Sequence, residues 1–220
     1  MLKVVVFDSG YGGELFADQL KEALPIIDVI RVIDWRNAEG LLLSPKNARK
    51  IAENALRPYI NRTDLIIFAN HLLSATSLKY FKRKYKSQKF LGFNFKSPDT
   101  FKKQETLILT TKAVTKTIGF QNFLIHLKRR TKTLSLDSWP EKIDDGELSE
   151  MEINETLKKY LFKDNFSPQE VILACSQFSD IKCEIKKSLG QNIKIYDSFN
   201  DAIKDTHKIL NLRGGTGKKK

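Results

Sequence analysis

Short apolar runs recur along the chain, each followed by a stretch with helical spacing, and no other feature limits its fold as strongly. Val4–Phe7 reads as a buried strand, and a glycine turn leads into a helix from about Glu14 to Ala23. Val29–Asp34 is a second strand. A helix from about Pro45 to Tyr59 follows, with Ser44 as N-cap and Pro45 at the first helical position. Leu65–Ala69 is a third strand before a helix from about Ser74 to Tyr85, and Lys89–Phe95 is a fourth strand. Repeated β-α order predicts a mainly parallel sheet covered by helices on both faces.

The order restarts after Pro98. Strands are expected at Thr106–Thr110, Thr131–Leu136, Glu170–Ala174 and Lys194–Tyr196, with helices near Thr115–Lys128, Glu147–Phe162, Ile181–Leu189 and Phe199–Leu210. The chain therefore reads as α/β, with two halves rather than one sheet. The expected division is 1–95 plus 193–212 for the first half and 96–192 for the second, with 213–220 as a disordered basic tail.

Two cysteines in 220 residues make no disulfide framework, which points to a reducing, cytoplasmic compartment. The opening MLKVVVFDSG turns polar too soon for a signal peptide, and no run approaches a membrane span. The formal charge of +12 is concentrated: Lys79–Lys132 holds 15 Lys or Arg against Asp99 and Glu105. Its run KYFKRKYKSQKF mixes cations with Tyr80, Phe81, Tyr85 and Phe90, as nucleic-acid surfaces often do. The favoured reading is plainer: the aromatics enter the core, the lysines form a solvated face, and nucleic acid is the less favoured partner.

In open α/β sheets, ligands sit beyond the carboxyl ends of the strands. Asp8-Ser9-Gly10, Asp34, Ala69-Asn70-His71, Thr110-Thr111 and Cys175-Ser176-Gln177 occupy those positions. Asp8 and Ser9 precede a helix N-terminus, where exposed N–H groups hold anions; capping is the simpler role for such a pair. Gly10 removes the second carboxylate of an Asp-x-Asp phosphatase, and the glycines match neither a dinucleotide fingerprint nor a phosphate loop. Cys175 ends a strand where free N–H groups of the next turn would lower a thiol pKa, although a buried Cys is more often inert packing. Cys183 is expected to be structural, His126 and His207 to be exposed, and no zinc spacing is present.

Taken in order, these loops resemble glutamate racemase, of the cofactor-independent aspartate/glutamate racemase superfamily. FDSGYGG resembles the family's opening Asp-Ser-Gly-x-Gly-Gly. DWRNAEGLLLSP falls on its second loop, FANHLLSA on the loop of the first catalytic cysteine, and LACSQFS on the loop of the second. SLDSWPEKIDDGE falls on the loop of an acidic helper, and IYDS resembles the last strand. The resemblance covers nearly the whole chain, to about Leu210. It implies two α/β domains facing each other across a pseudo-twofold axis, a site in the cleft between them, no cofactor and no metal. It also implies a small acidic amino acid or dicarboxylate as ligand and is compatible with a homodimer. In the family, one thiolate takes the α-proton while the opposed thiol protonates the other face. The implied catalytic residues are Asp8, Cys175 and Asp144, with Ser9, Asp34, Asn70, Ser176 and Gln177 around the substrate.

The departures are specific. Ala69 stands at the first catalytic Cys, His71 at a Thr two places on, and Gln177 at the His beside the second Cys. Asp144 replaces Glu, Ser176 replaces Thr, and Glu39-Gly40-Leu41 replaces Pro-Tyr-Gly. Alanine cannot exchange a proton, so racemisation is expected to be impaired unless His71 substitutes for the lost thiol. Two other readings stand beside this one. The first is a one-cysteine lyase resembling arylmalonate decarboxylase of the same superfamily. The second is a pseudoenzyme whose basic surface matters more than its cleft.

Overall fold

The computed structural model describes residues 1–38, 44–95, 105–127, 130–162 and 166–212. The tail 213–220, the loop residues 39–41, Pro98 and the expected division at 95/96 fall wholly or partly outside them. β1 (Leu2–Asp8), β2 (Ile27–Ile33), β3 (Leu65–Phe68) and β4 (Phe90–Gly92) form one parallel sheet in the order β2-β1-β3-β4. β5 (Glu105–Thr110), β6 (Arg130–Ser135), β7 (Glu170–Leu173) and β8 (Lys194–Tyr196) form a second, in the order β6-β5-β7-β8. The α/β class is as expected, and the two sheets repeat one strand order.

β1 shows why the strands read as unbroken apolar runs. Successive side chains leave a strand on opposite faces. Val4 and Val6 enter a core with Phe16 and Leu20 of α1 (Tyr11–Ala23) and Phe199 of the last helix. Val5 and Phe7 enter another with Ala48 and Ala52 of α2 (Pro45–Leu56) and Phe81 of α3 (His71–Lys84). A sheet buried on both faces leaves no polar alternation to read.

The helices depart from expectation where hydroxyls or tertiary contacts decide. Ser44 accepts from Asn47 N at 3.1 Å, and Pro45 opens α2 as predicted. α3 starts at His71, earlier than Ser74, because the Asn70 side chain caps it by accepting from Leu73 N at 3.0 Å. The expected helix 115–128 is two, α4 (Lys112–Thr115) and α5 (Ile118–His126). Thr117 breaks it: its hydroxyl donates to Val114 O and accepts from Phe120 N, so one side chain closes one helix and caps the next. α6 (Trp139–Asp144) was not foreseen; its Trp139 is buried against Phe178. α7 (Glu150–Phe162), α8 (Lys182–Leu189) and α9 (Phe199–Ile209) match their expected positions closely.

The segment 193–212 divides between the sheets. β8 pairs with β7, whereas Phe199, Ala202 and Leu210 pack on the first sheet. Cys183 is exposed on α8 rather than structural; the helix turns it outward while Ile185 points into the core. His126 is exposed and His207 half-buried. Within the basic run Phe81 and Phe90 are core, while Lys82, Arg83 and Lys86 are exposed. Among the described residues no helix is long and apolar enough to cross a membrane.

Phe81 holds the aromatic core together, with ring centroids 5.1 Å from Phe68 and 5.5 Å from Phe90. Phe81→Ala is expected to cost about 3–5 kcal/mol, read as a lower denaturant midpoint at unchanged slope.

Candidate active site

The loops that follow β1, β3 and β7 meet at one buried carboxyl. Asp8 ends β1 and is 1% exposed. Its Oδ1 accepts from Asn70 Nδ2 at 2.8 Å and from the Ser9 backbone N at 2.6 Å. Its Oδ2 accepts from Ser176 Oγ at 3.1 Å, a contact between residues of different sheets. Asn70 thus serves twice, capping α3 with its oxygen and holding Asp8 with its nitrogen.

A second node lies at Gln177. Its Oε1 accepts from Cys175 Sγ at 3.1 Å and from Ser176 Oγ at 3.2 Å. Its side chain also bonds Asp144, which the backbone of Tyr11 supports as well. Glycine makes this approach feasible. A Cβ at Gly10 would lie 2.6 Å from Gln177 Nε2, and one at Gly12 would overlap Ser176. The sequence reading gave Gly12 no role, although two glycines at the start of a helix are a legible sign of close approach.

Burial sets the protonation states. It raises the Asp8 carboxyl to about 7, against donation from Asn70, Ser9 and Ser176, and the charge of Asp144 pushes the same way. Partial burial lifts Asp144 to about 6. Burial pushes the Cys175 thiol up to about 12, with Asp8 and Asp144 adding to the shift. The expected lowering by free N–H groups is therefore outweighed. The Gln177 and Phe178 backbone groups do lower the pKa, but by less than burial raises it. At neutral pH the thiol is a proton donor, and Asp8 is close to half ionised.

Ser176 has one proton and two acceptors within reach, Asp8 Oδ2 and Gln177 Oε1. With Asp8 ionised, that proton serves the carboxylate and Gln177 Oε1 is left to the thiol. With Asp8 protonated, its own O–H turns to Ser176, whose proton moves to Gln177.

The side chains of His71 and Asp34 turn elsewhere, and Ser9 joins the group only through its backbone. The His71 ring is buried, bonded through Nε2 to Ser198 Oγ at 2.9 Å and set against Phe93 and Phe95. Burial depresses it to about 4, so it is neutral and turned toward the β8–α9 connection, not toward Cys175. His71 is the first residue of α3, and the helix start sets its ring against Phe93 and Phe95. Asp34 meets Asp8 only through its backbone N–H; its carboxylate accepts from Asn37 Nδ2 at 2.9 and 3.0 Å. Ser9 touches Asp8 through its backbone. Ala69 is buried among apolar side chains of the first core. Among the described residues no three His, Cys, Asp or Glu side chains are grouped as metal ligands.

Because folding raises Asp8 from 3.8 to about 7, its contribution to stability is fully present below 3.8 and lost as pH rises through 7. Asp8→Asn is therefore expected to stabilise the fold at pH 8 by on the order of 2–4 kcal/mol and to lose that advantage below pH 4. Denaturant titrations at both pH values measure it. Gly12→Ala should separate the loops at a cost of about 1–3 kcal/mol, read by a lower Tm and altered fluorescence of Trp139, which packs on Phe178.

No family model matches the chain. A glutamate racemase of Clostridium novyi is 24% identical over 212 residues, spanning 93% of this chain and 82% of that protein. One of Fusobacterium nucleatum is 23% identical over 216 residues, spanning 94% and 81%. The solved glutamate racemase of Francisella tularensis, in complex with D-glutamate, superposes with a TM-score of 0.79 at 21% identity, over 96% of this chain and 81% of that one. Picrophilus torridus aspartate racemase superposes with a TM-score of 0.64 at 16% identity, over 96% and 94%. The repeated strand order, the two parallel sheets and these superpositions together show that the chain has the fold of the glutamate/aspartate racemase superfamily.

Proposed function

We propose that this chain is a glutamate racemase-like isomerase that moves a proton at the α-carbon of a small acidic amino acid, with only one face fully equipped. The supporting observation is the convergence of Asp8, Asn70, Cys175, Ser176, Gln177 and Asp144 in one hydrogen-bonded group. The reading takes the two sheets with their helices as two domains and places substrate where their loops meet. The names of the relatives favour glutamate over other acidic amino acids.

The roles follow from protonation. Cys175, held as a thiol, delivers a proton to the substrate carbon from its face. Asp8, near half ionisation at pH 7, is the group able to accept one. Gln177 orients the thiol and links it to Asp144, but an amide shuttles no proton. The buried methyl of Ala69 supplies no acid or base, and His71 faces Ser198 instead.

The same protonated thiol favours a second reading. A lone Cys that protonates an enolate-like intermediate suits a decarboxylase-type lyase, which needs no opposed base. A substituted malonate separates the two, since only the lyase would release carbon dioxide from it.

The first reading predicts slow α-deuteration of one glutamate enantiomer in D₂O, with configuration retained and little two-way interconversion. NMR and chiral chromatography measure both. The rate should rise with pH through about 7 as Asp8 ionises, and Cys175→Ala should lower it by about 10²–10⁴-fold. Fast interconversion would overturn the one-sided mechanism. Binding without exchange would identify a pseudoenzyme.

A further inference from the structure

A cleft of about 640 Å³ opens between the two halves, apart from the Asp8 and Cys175 group. One wall is built from the start of α2 and the outer face of α3, the other from the α4–α5 corner. Its volume falls in the range of small-molecule sites, roughly 300–1,000 Å³.

Its lining has two characters. Leu72, Ala75 and Ile118 supply apolar surface, and Ile118 is 79% exposed, an unusual position for so large an aliphatic side chain. Arg49, Lys112 and Lys116 supply three positive charges against the single carboxylate of Asp137. Asp137 is engaged with Lys112, accepting from its backbone N at 2.7 Å and lying 3.9 Å from its Nζ. Arg49 is fixed in the opposite wall: its Nε and Nη2 donate to Thr76 O at 3.1 and 2.9 Å, and its guanidinium lies over the Tyr80 ring. Among the described residues Lys116 has no ion-pair partner and Arg49 Nη1 has no hydrogen-bond partner. α2 also directs the positive end of its dipole at the rim.

We propose that this cleft binds a small molecule with an apolar body and an anionic head, gripped by Lys116 from one half and Arg49 from the other. The apolar walls exclude inorganic anions as sufficient ligands, and the excess of two positive charges disfavours neutral ones. The inference is independent of proton transfer at Cys175.

The test uses the full chain and 2-naphthyl phosphate, whose fluorescence reports its own binding, with 2-naphthol and inorganic phosphate as controls. Saturable binding of the naphthyl phosphate is expected, with both controls weaker by about tenfold or more. Lys116→Glu should weaken binding by about tenfold. Ala75→Trp, which fills the cleft from the exposed face of α3, should do the same, and Cys175→Ala should leave binding unchanged. Absence of saturable binding overturns the proposal. So does equal binding of 2-naphthol, which would mark a merely greasy surface, or equal binding of inorganic phosphate, which would mark charge alone. Should Ala75→Trp fail to fold, an unaltered affinity in Lys116→Glu is enough to overturn it. Loss of the deuterium-exchange reading leaves this outcome untouched, because no step of the test involves turnover.

Discussion

The buried carboxyl of Asp8 joins parts of the molecule that the sheets alone would leave separate. It sits at the end of the central strand of the first sheet and takes donors from its own loop, from the loop after β3 and from the loop after β7. A buried carboxyl is costly unless hydrogen-bonded, so these three donors must stay in register for the group to remain there. The glycines after Asp8 serve the same requirement. They let the start of α1 lie against Ser176 and Gln177, where any side chain would intervene. The site therefore couples the packing of the two halves to the ionisation of one group.

The side chains around this point are arranged asymmetrically. The strand orders of the two sheets are equivalent, and α1 touches the loop after β7 while α3 touches the helices after β5. The side chains carried by those equivalent positions are not. The Cys175 thiol stands in the loop after β7, whereas Ala69, directly after β3, offers only a methyl buried in the core. Gln177 fixes the direction of the thiol by accepting from it at 3.1 Å, and burial keeps that thiol protonated.

Much of the fold was legible because its interior strands, β1, β3, β5 and β7, are buried on both faces and so appear as unbroken apolar runs. Lys194–Tyr196 was located to the residue. Elements decided by tertiary contact were not legible: α6 is a short acidic segment held by Trp139 against Phe178, and the break before α5 depends on a hydroxyl that acts at two helix ends. Asp8, Asn70, Asp144, Cys175, Ser176 and Gln177, which the family resemblance brings together, do lie in one hydrogen-bonded group. Directions and charges could not be read that way. Asp34 turns to its own Asn37 and His71 to Ser198, choices set by what each side chain packs against. The thiol of Cys175 was misjudged because the effect of nearby N–H groups is visible in a sequence, while the extent of burial is not.

The return of the chain has a mechanical consequence. Backbone passes from the first sheet to the second after β4 and comes back between β8 and α9, where His71 of α3 grips Ser198. With two crossings, a cut in either one would leave the second sheet attached to the first: through the packing of α9 on the first core if the cut follows β4, and through the β4 crossing if it follows β8.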